Sequence, residues 1–147
     1  MNKLTVIIGL GIIIIIGAAA LFLLPPNQAN APTNGAGTGK EDLIVAMYPK
    51  PGEKITSPLV ATGEARGTWY FEASFPITVL DAEENVIGQG YAQAQSDWMT
   101  EEFVYFESIP IEFEAQPAGS TGTVVLHKDN PSGLPEHDDE LRIPVIF

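Results

Sequence analysis

The 147-residue sequence sets nineteen acidic residues against seven basic ones, a formal net charge of −12 at pH 7, and contains no cysteine. A surface this acidic repels nucleic acid, anionic lipid headgroups and anionic wall polymers, so polyanion binding is the function least expected. Without cysteine there is no disulfide framework, no thiolate metal site and no lipobox residue to acylate.

Residues 4–24 are an apolar run without a single charged side chain. At ~1.5 Å rise per residue, ~21 residues make a helix ~31 Å long, which matches the hydrocarbon thickness of a bilayer. Residues 1–24 are therefore expected to be an N-terminal transmembrane anchor. A cleaved secretory signal is the alternative, since Lys3 supplies a basic start and Ala29-Asn30-Ala31 has the small-x-small form of a cleavage site. The apolar run is longer than the ~7–15 residues of a signal core, and Pro32 follows the site directly, so the uncleaved anchor is preferred. Lys3 and the amino terminus keep that end in the cytoplasm by the positive-inside tendency. All nineteen acidic residues lie beyond residue 40 and are therefore expected to face the outside of the membrane.

Residues 25–40 begin with Pro25-Pro26, hold Gly35, Gly37 and Gly39, and offer no large apolar side chain to bury. They read as a flexible linker, with an r.m.s. span of ~22 Å as a coil and a reach of ~55 Å fully extended. Such a linker keeps the rest of the chain close to the membrane.

Residues 41–147 suffice for one domain with its own core. Short β-rich runs recur between turn signals: 42–48, 59–65, 69–79, 86–95, 103–113, 123–128 and 141–147. In the third run Trp69, Phe71, Ala73, Phe75, Ile77 and Val79 alternate with more polar residues, which predicts a strand with one buried face. In the fifth, the same parity assigns Phe103, Tyr105, Ile109, Ile111 and Phe113 to one face, with Glu107 the odd member. Pro110 and Pro144 confine their strands to an edge or a bulge. About seven short antiparallel strands predict an all-β, immunoglobulin-like sandwich.

The run Pro51-Gly52-x-x-Ile55-x-Ser57-Pro58-Leu59, the segment from Gly63 to Ala73 with Trp69-Tyr70-Phe71-Glu72, then Trp98-Met99-Thr100, and Asp129-Asn130-Pro131-Ser132-Gly133-Leu134-Pro135-Glu136 occur in that order. Together they resemble the immunoglobulin-like domain of bacterial spore germination proteins, the module found beside the GerM domain. The resemblance spans essentially the whole of residues 41–147, and a GerM-type module is absent here. It implies an immunoglobulin-like fold on the outer side of a bacterial membrane, in an anchored protein.

Trp69 heads an apolar face and reads as the core aromatic of the sandwich. Trp98, which comes after a polar turn, either plugs one end of the sandwich or, with Tyr70, offers an aromatic platform for a sugar ring or a partner. Between residues 129 and 140, Asp129, Glu136, Asp138, Asp139 and Glu140 accompany Asn130, Ser132 and Gly133. Asp129, Asn130 and Ser132 suit a turn closed by side-chain bonds to nearby amides, and Asp129, Asn130 and Glu136 are candidates for a recognition surface. Calcium is a weaker alternative, because the loop does not follow the EF-hand spacing.

Catalytic readings find less support. Glu112 and Glu114 stand ~6.5–7 Å apart on one strand face, within the range of paired glycosidase carboxylates, without a cleft around them. His127, His137 and Ser132 supply triad residue types without a nucleophile elbow. The expectation is a non-enzymatic binding or scaffolding module without cofactor or metal. It docks on an envelope protein near the membrane, with cell-wall glycan or peptide as the alternative ligand and calcium-dependent adhesion as a weaker one.

Overall fold

A computed structural model describes residues 39–147; the expected anchor, and the linker up to residue 38, lie outside the described residues. Among the described residues no helix is long and apolar enough to cross a membrane.

The eight strands are β1 (Ile44–Tyr48), β2 (Glu53–Lys54), β3 (Thr62–Arg66), β4 (Ser74–Leu80), β5 (Val86–Ala94), β6 (Phe103–Ser108), β7 (Thr121–His127) and β8 (Glu140–Ile146). Short 3-10 turns occupy Gly67–Trp69 and Pro135–His137. The strands form one sheet in the order β1-β3-β6-β5-β4-β7-β8-β2, antiparallel throughout except for the two-residue parallel contact of β2 with β8. The all-β expectation is met. In place of two separate sheets of about seven strands, one sheet of eight curls on itself, and β2 is too short for any alternation to announce it.

The nine-residue β5 makes the curl possible. It pairs with β4 along its length, while its last three residues, Ala92–Ala94, pair with β6 as well. β4 and β6 are therefore not neighbours in the sheet, yet the rings of Phe75 and Phe106 meet edge to face at 5.0 Å. Contact between the inner faces of the two halves shows that the core lies inside the curl, with Trp69, Ile77, Val79, Leu126 and Ile143 buried in the same cluster. Phe113, beyond β6, meets Phe147, beyond β8, at 5.6 Å and closes the opposite margin. Burial of these apolar side chains is the main force holding the curl, at roughly 1.5–3 kcal/mol for each large one.

Two strand readings are corrected. The run 69–79 is not one strand: Trp69 ends a 3-10 turn, and Glu72 and Ala73, at φ of +49° and +63°, close a two-residue hairpin in which Phe71 and Ser74 exchange backbone bonds at 3.0 and 3.1 Å. The turn breaks the parity, so Tyr70 is buried at 4 % exposure and Phe71 stands out at 41 %, whereas Phe75, Ile77 and Val79 keep the expected inner face. In β6 the inner face is Val104, Phe106 and Ser108, not Phe103 and Tyr105. Both alternating sets are largely apolar here, and the register with β3 decides between them. Ser108 is satisfied inside: its hydroxyl accepts from the amide of Ala61 at 2.8 Å and donates to the carbonyl of Ile109 at 2.8 Å.

Pro110 lies beyond the end of β6, which is an inner strand, so its edge assignment is also corrected. The edge reading of Pro144 is met in part, since the outer side of β8 is covered only by β2 at Val145 and Ile146.

Candidate functional site

The β7–β8 hairpin carries the loop that the sequence singled out. Its ladder runs to His127 opposite Glu140, and the amide of Lys128 donates to the carbonyl of Asp139 at 2.8 Å before the chain departs. The amide of Asp129 then donates to the carbonyl of Trp69 at 3.0 Å, which pins the loop to the 3-10 turn beside the Phe71–Ser74 hairpin.

Asn130 organises the rest of the loop. Its Nδ2 donates to the carbonyl of Leu134 at 2.8 Å and to Asp138 Oδ1 at 2.7 Å. Its Oδ1 accepts from the amide and the hydroxyl of Ser132 at 3.2 and 2.5 Å, and the Ser132 hydroxyl accepts from the amide of Leu134 at 3.2 Å. Gly133, at φ +65°, donates its amide to the carbonyl of Asn130 at 3.2 Å. These are the side-chain-to-amide bonds expected of a structural turn. They also commit Ser132, so it is held by the loop and not by a histidine.

Two shallow depressions flank the loop. One, of ≈ 270 Å³, lies between Tyr70 and Phe71 on one side and Asp129, Asn130, Pro131 and Ser132 on the other. The second, of ≈ 280 Å³, is bounded by His127, Asp138, Asp139 and Glu140, and Lys128 borders both. Lys40 meets the same end: its ammonium pairs with the carboxylate of Asp139 and donates to the carbonyl of Glu140 at 2.8 Å. The chain thus joins the domain beside this loop.

Charge sharpens the picture. Burial raises the Asp129 carboxyl above its usual range, and the nearby Glu72 charge adds to that effect. Burial lowers the His127 imidazole, with Glu140 opposing the change and Arg142 adding to it. His127 Nε2 lies 2.9 Å from the Thr78 hydroxyl and Nδ1 lies 3.6 Å from Glu140.

The five candidate residues part company here. Asp129 and Asn130 border the first depression, and Glu136 lies exposed in the 3-10 turn of the same loop. Tyr70 borders it too, but as a buried group: its hydroxyl donates to the carbonyl of Val104 at 2.7 Å and its ring packs on Phe75 at 5.3 Å. The reading of Tyr70 as a stacking platform is corrected accordingly, and burial pushes its phenol far above the ordinary range. Trp98 is partly buried against the core and lines neither depression; its neighbour Met99 is the exposed member of the pair. Glu112 and Glu114 lie exposed on either side of Phe113, whose partner is Gly88. Among the described residues no three His, Asp or Glu side chains are arranged to hold a metal ion.

Phe71, which lines the first depression, and Leu134, in the loop, are exposed at 41 % and 48 %, and the sequence flagged neither as exposed. Alternation alone assigns Phe71 to an inner face, and nothing in Phe71-Glu72-Ala73-Ser74 carries the Asn-Gly signature of a tight hairpin.

One all-β sheet curled around its core, with a polar loop pinned at one end, is of the immunoglobulin-like class, which suggests a binding or scaffolding module. More specifically, the chain belongs to the immunoglobulin-like domain family of bacterial spore germination, which matches residues 43–134. The match stops at Leu134, so Glu136 and β8 lie beyond it. No curated protein and no solved structure gives a match.

Proposed function

We infer that this chain is a membrane-anchored, extracytoplasmic docking module that works without catalysis, and that it engages a protein of the bacterial envelope close to the membrane. The contact surface in this reading is the end formed by the Phe71–Ser74 hairpin and the β7–β8 loop. One observation carries it: Lys40, the last residue of the expected linker, is bound to Asp139 and Glu140 at that end. A linker of ~16 residues attached there limits how far this end can stand from the membrane.

The surface chemistry describes the partner. Phe71 offers apolar contact area at the first depression and Glu72 and Asp129 bring negative charge beside it, while Leu134, Glu136 and Asp138 are exposed along the same loop. Such a rim favours a partner that brings lysine or arginine, by charge complementarity and by cation–π contact with the exposed phenyl ring.

Cross-linking of intact cells that make the full chain tests this reading. A protein adduct that is lost in the double variant Phe71→Ser, Asp129→Lys is the expected result. Co-sedimentation of the full chain with purified sacculi, lost in Trp98→Ala, would instead establish the wall-recognition alternative.

A further inference from the structure

Strand pairing shows which connections share an end of the sheet. Arg66 ends β3 opposite Phe103 at the start of β6, and β5 ends at Ala94 opposite Phe106. β4 starts at Ser74 opposite Gln93, and β7, its other neighbour, ends at His127 opposite Glu140, the first residue of β8. The connections 67–73, 95–102 and 128–139 therefore emerge together, at the end where Lys40 meets Asp139.

Exposed apolar side chains are unevenly spread over the connections. Among the described residues eight large ones are at least 38 % exposed, and five of these belong to strands. The other three are Phe71, Met99 and Leu134, one in each connection at this end, and the connections at the opposite end expose none. Apolar residues scattered singly need no partner, but one on each of three neighbouring loops is the distribution of an interaction surface.

Met99, at 76 %, is the most exposed of the eight, and its loop is firmly held. Its amide donates to Asp97 Oδ1 at 3.0 Å, and the amide of Thr100 donates to the carbonyl of Trp98 at 2.8 Å. Arg66 donates to the carbonyl of Glu101 at 3.0 Å, and Trp98 packs against the core. The carbonyls of Trp98 and Thr100 come up against Gly67, where no Cβ would fit, and the next residue, Thr68, lines the first depression. Trp98 is thus a positioning residue for Met99. A loop already fixed in this way has little order left to gain on binding, which favours its use as a contact element.

We propose that Met99 is a third apolar anchor of the docking surface, and that the partner is a folded protein offering it an apolar pocket bordered by lysine or arginine. The three connections hold eight carboxylates and one lysine, and Asp97, Glu101 and Glu102 flank Met99 in the sequence. Basic residues around the pocket meet that charge, and the unbranched thioether of methionine adapts to a pocket of irregular shape. The inference rests on the docking reading and adds to it the β5–β6 loop and the pocket that the partner must supply.

The test places photoreactive probes in full chains made by living cells. A probe at position 99 should capture the same protein as a probe at position 134, identified by mass spectrometry. With the probe at 134, Met99→Ser and Glu101→Lys should each lower the yield several-fold, and Met99→Leu should preserve it. Because Met99 adds little to the core, the melting temperature of Met99→Ser should match that of the native chain, which separates a lost contact from a lost fold. An adduct from 134 that persists in Met99→Ser, with none from 99, would overturn this inference and leave the docking reading standing. No protein adduct from either position would overturn both.

Discussion

Asn130 holds the β7–β8 loop with four side-chain hydrogen bonds, all at an exposed site. Each contributes about 0.5–1.5 kcal/mol net, less where water can substitute, so Asn130→Ala should lower stability by about 1–2 kcal/mol in urea denaturation. Gly133→Val should act in the same direction. A β-branched side chain avoids a φ of +65°, although nothing lies where its Cβ would go. Asp129 is the opposite case. Its carboxyl is raised in the folded state, so its contribution is favourable below the ordinary value of 3.8 and is lost as the pH rises through the folded value. At pH 7 the ionised group is a liability, and Asp129→Asn should raise the melting temperature there while weakening capture of the basic partner. A structural role alone would move only the first of these. For His127 the folded value is depressed, so the neutral ring stabilises the domain above 6.5 and this is lost as the pH falls through the lower folded value. Melting temperature should decline across that interval more steeply for the native chain than for His127→Gln.

Among the elements, the Phe71–Ser74 hairpin is the one whose sequence and geometry disagree. Two consecutive positive φ values are the mark of a type I′ turn, normally filled by Asn-Gly, and here Glu72 and Ala73 adopt them. Left-handed backbone costs about 1–2 kcal/mol per ordinary residue. The pair Glu72→Asn, Ala73→Gly should therefore stabilise the domain by about 1–2 kcal/mol, measured by chemical denaturation. The same element explains a limit of reading the sequence. Phe75, Ile77 and Val79 were legible as an inner face because polar residues alternate with them, but the alternation continues by coincidence through Trp69, Phe71 and Ala73, and no glycine or asparagine marks the turn. In β6, Phe103 and Tyr105 compete with Val104 and Phe106, and periodicity cannot choose between two apolar sets. Arg66 helps to explain how the outer set is tolerated: its guanidinium lies 4.2 Å from the centre of the Phe103 ring.

At the scale of the whole molecule, spacing and turn signals were enough for the all-β class, and four ordered motifs were enough for the family. The continuity of the sheet was not legible, because it depends on β5 pairing with β4 and β6 at once, a tertiary choice that no single strand encodes. Nor was the site's rim, since Lys40 meets Asp139 and Glu140 across a sequence separation of about a hundred residues. The loop itself was legible in Asp129, Asn130 and Ser132, whose chemistry is local. The proposed reading is that the loop end captures a basic envelope protein.

The most direct test of that account is a photoreactive amino acid placed at Leu134 of the full chain in living cells, beside the same probe at Val86, which is exposed on β5. The account predicts one discrete protein adduct from position 134, absent from position 86 and lost in Asp129→Lys. Equal labelling from both positions, or no protein adduct from 134 while the full chain sediments with sacculi, would contradict it.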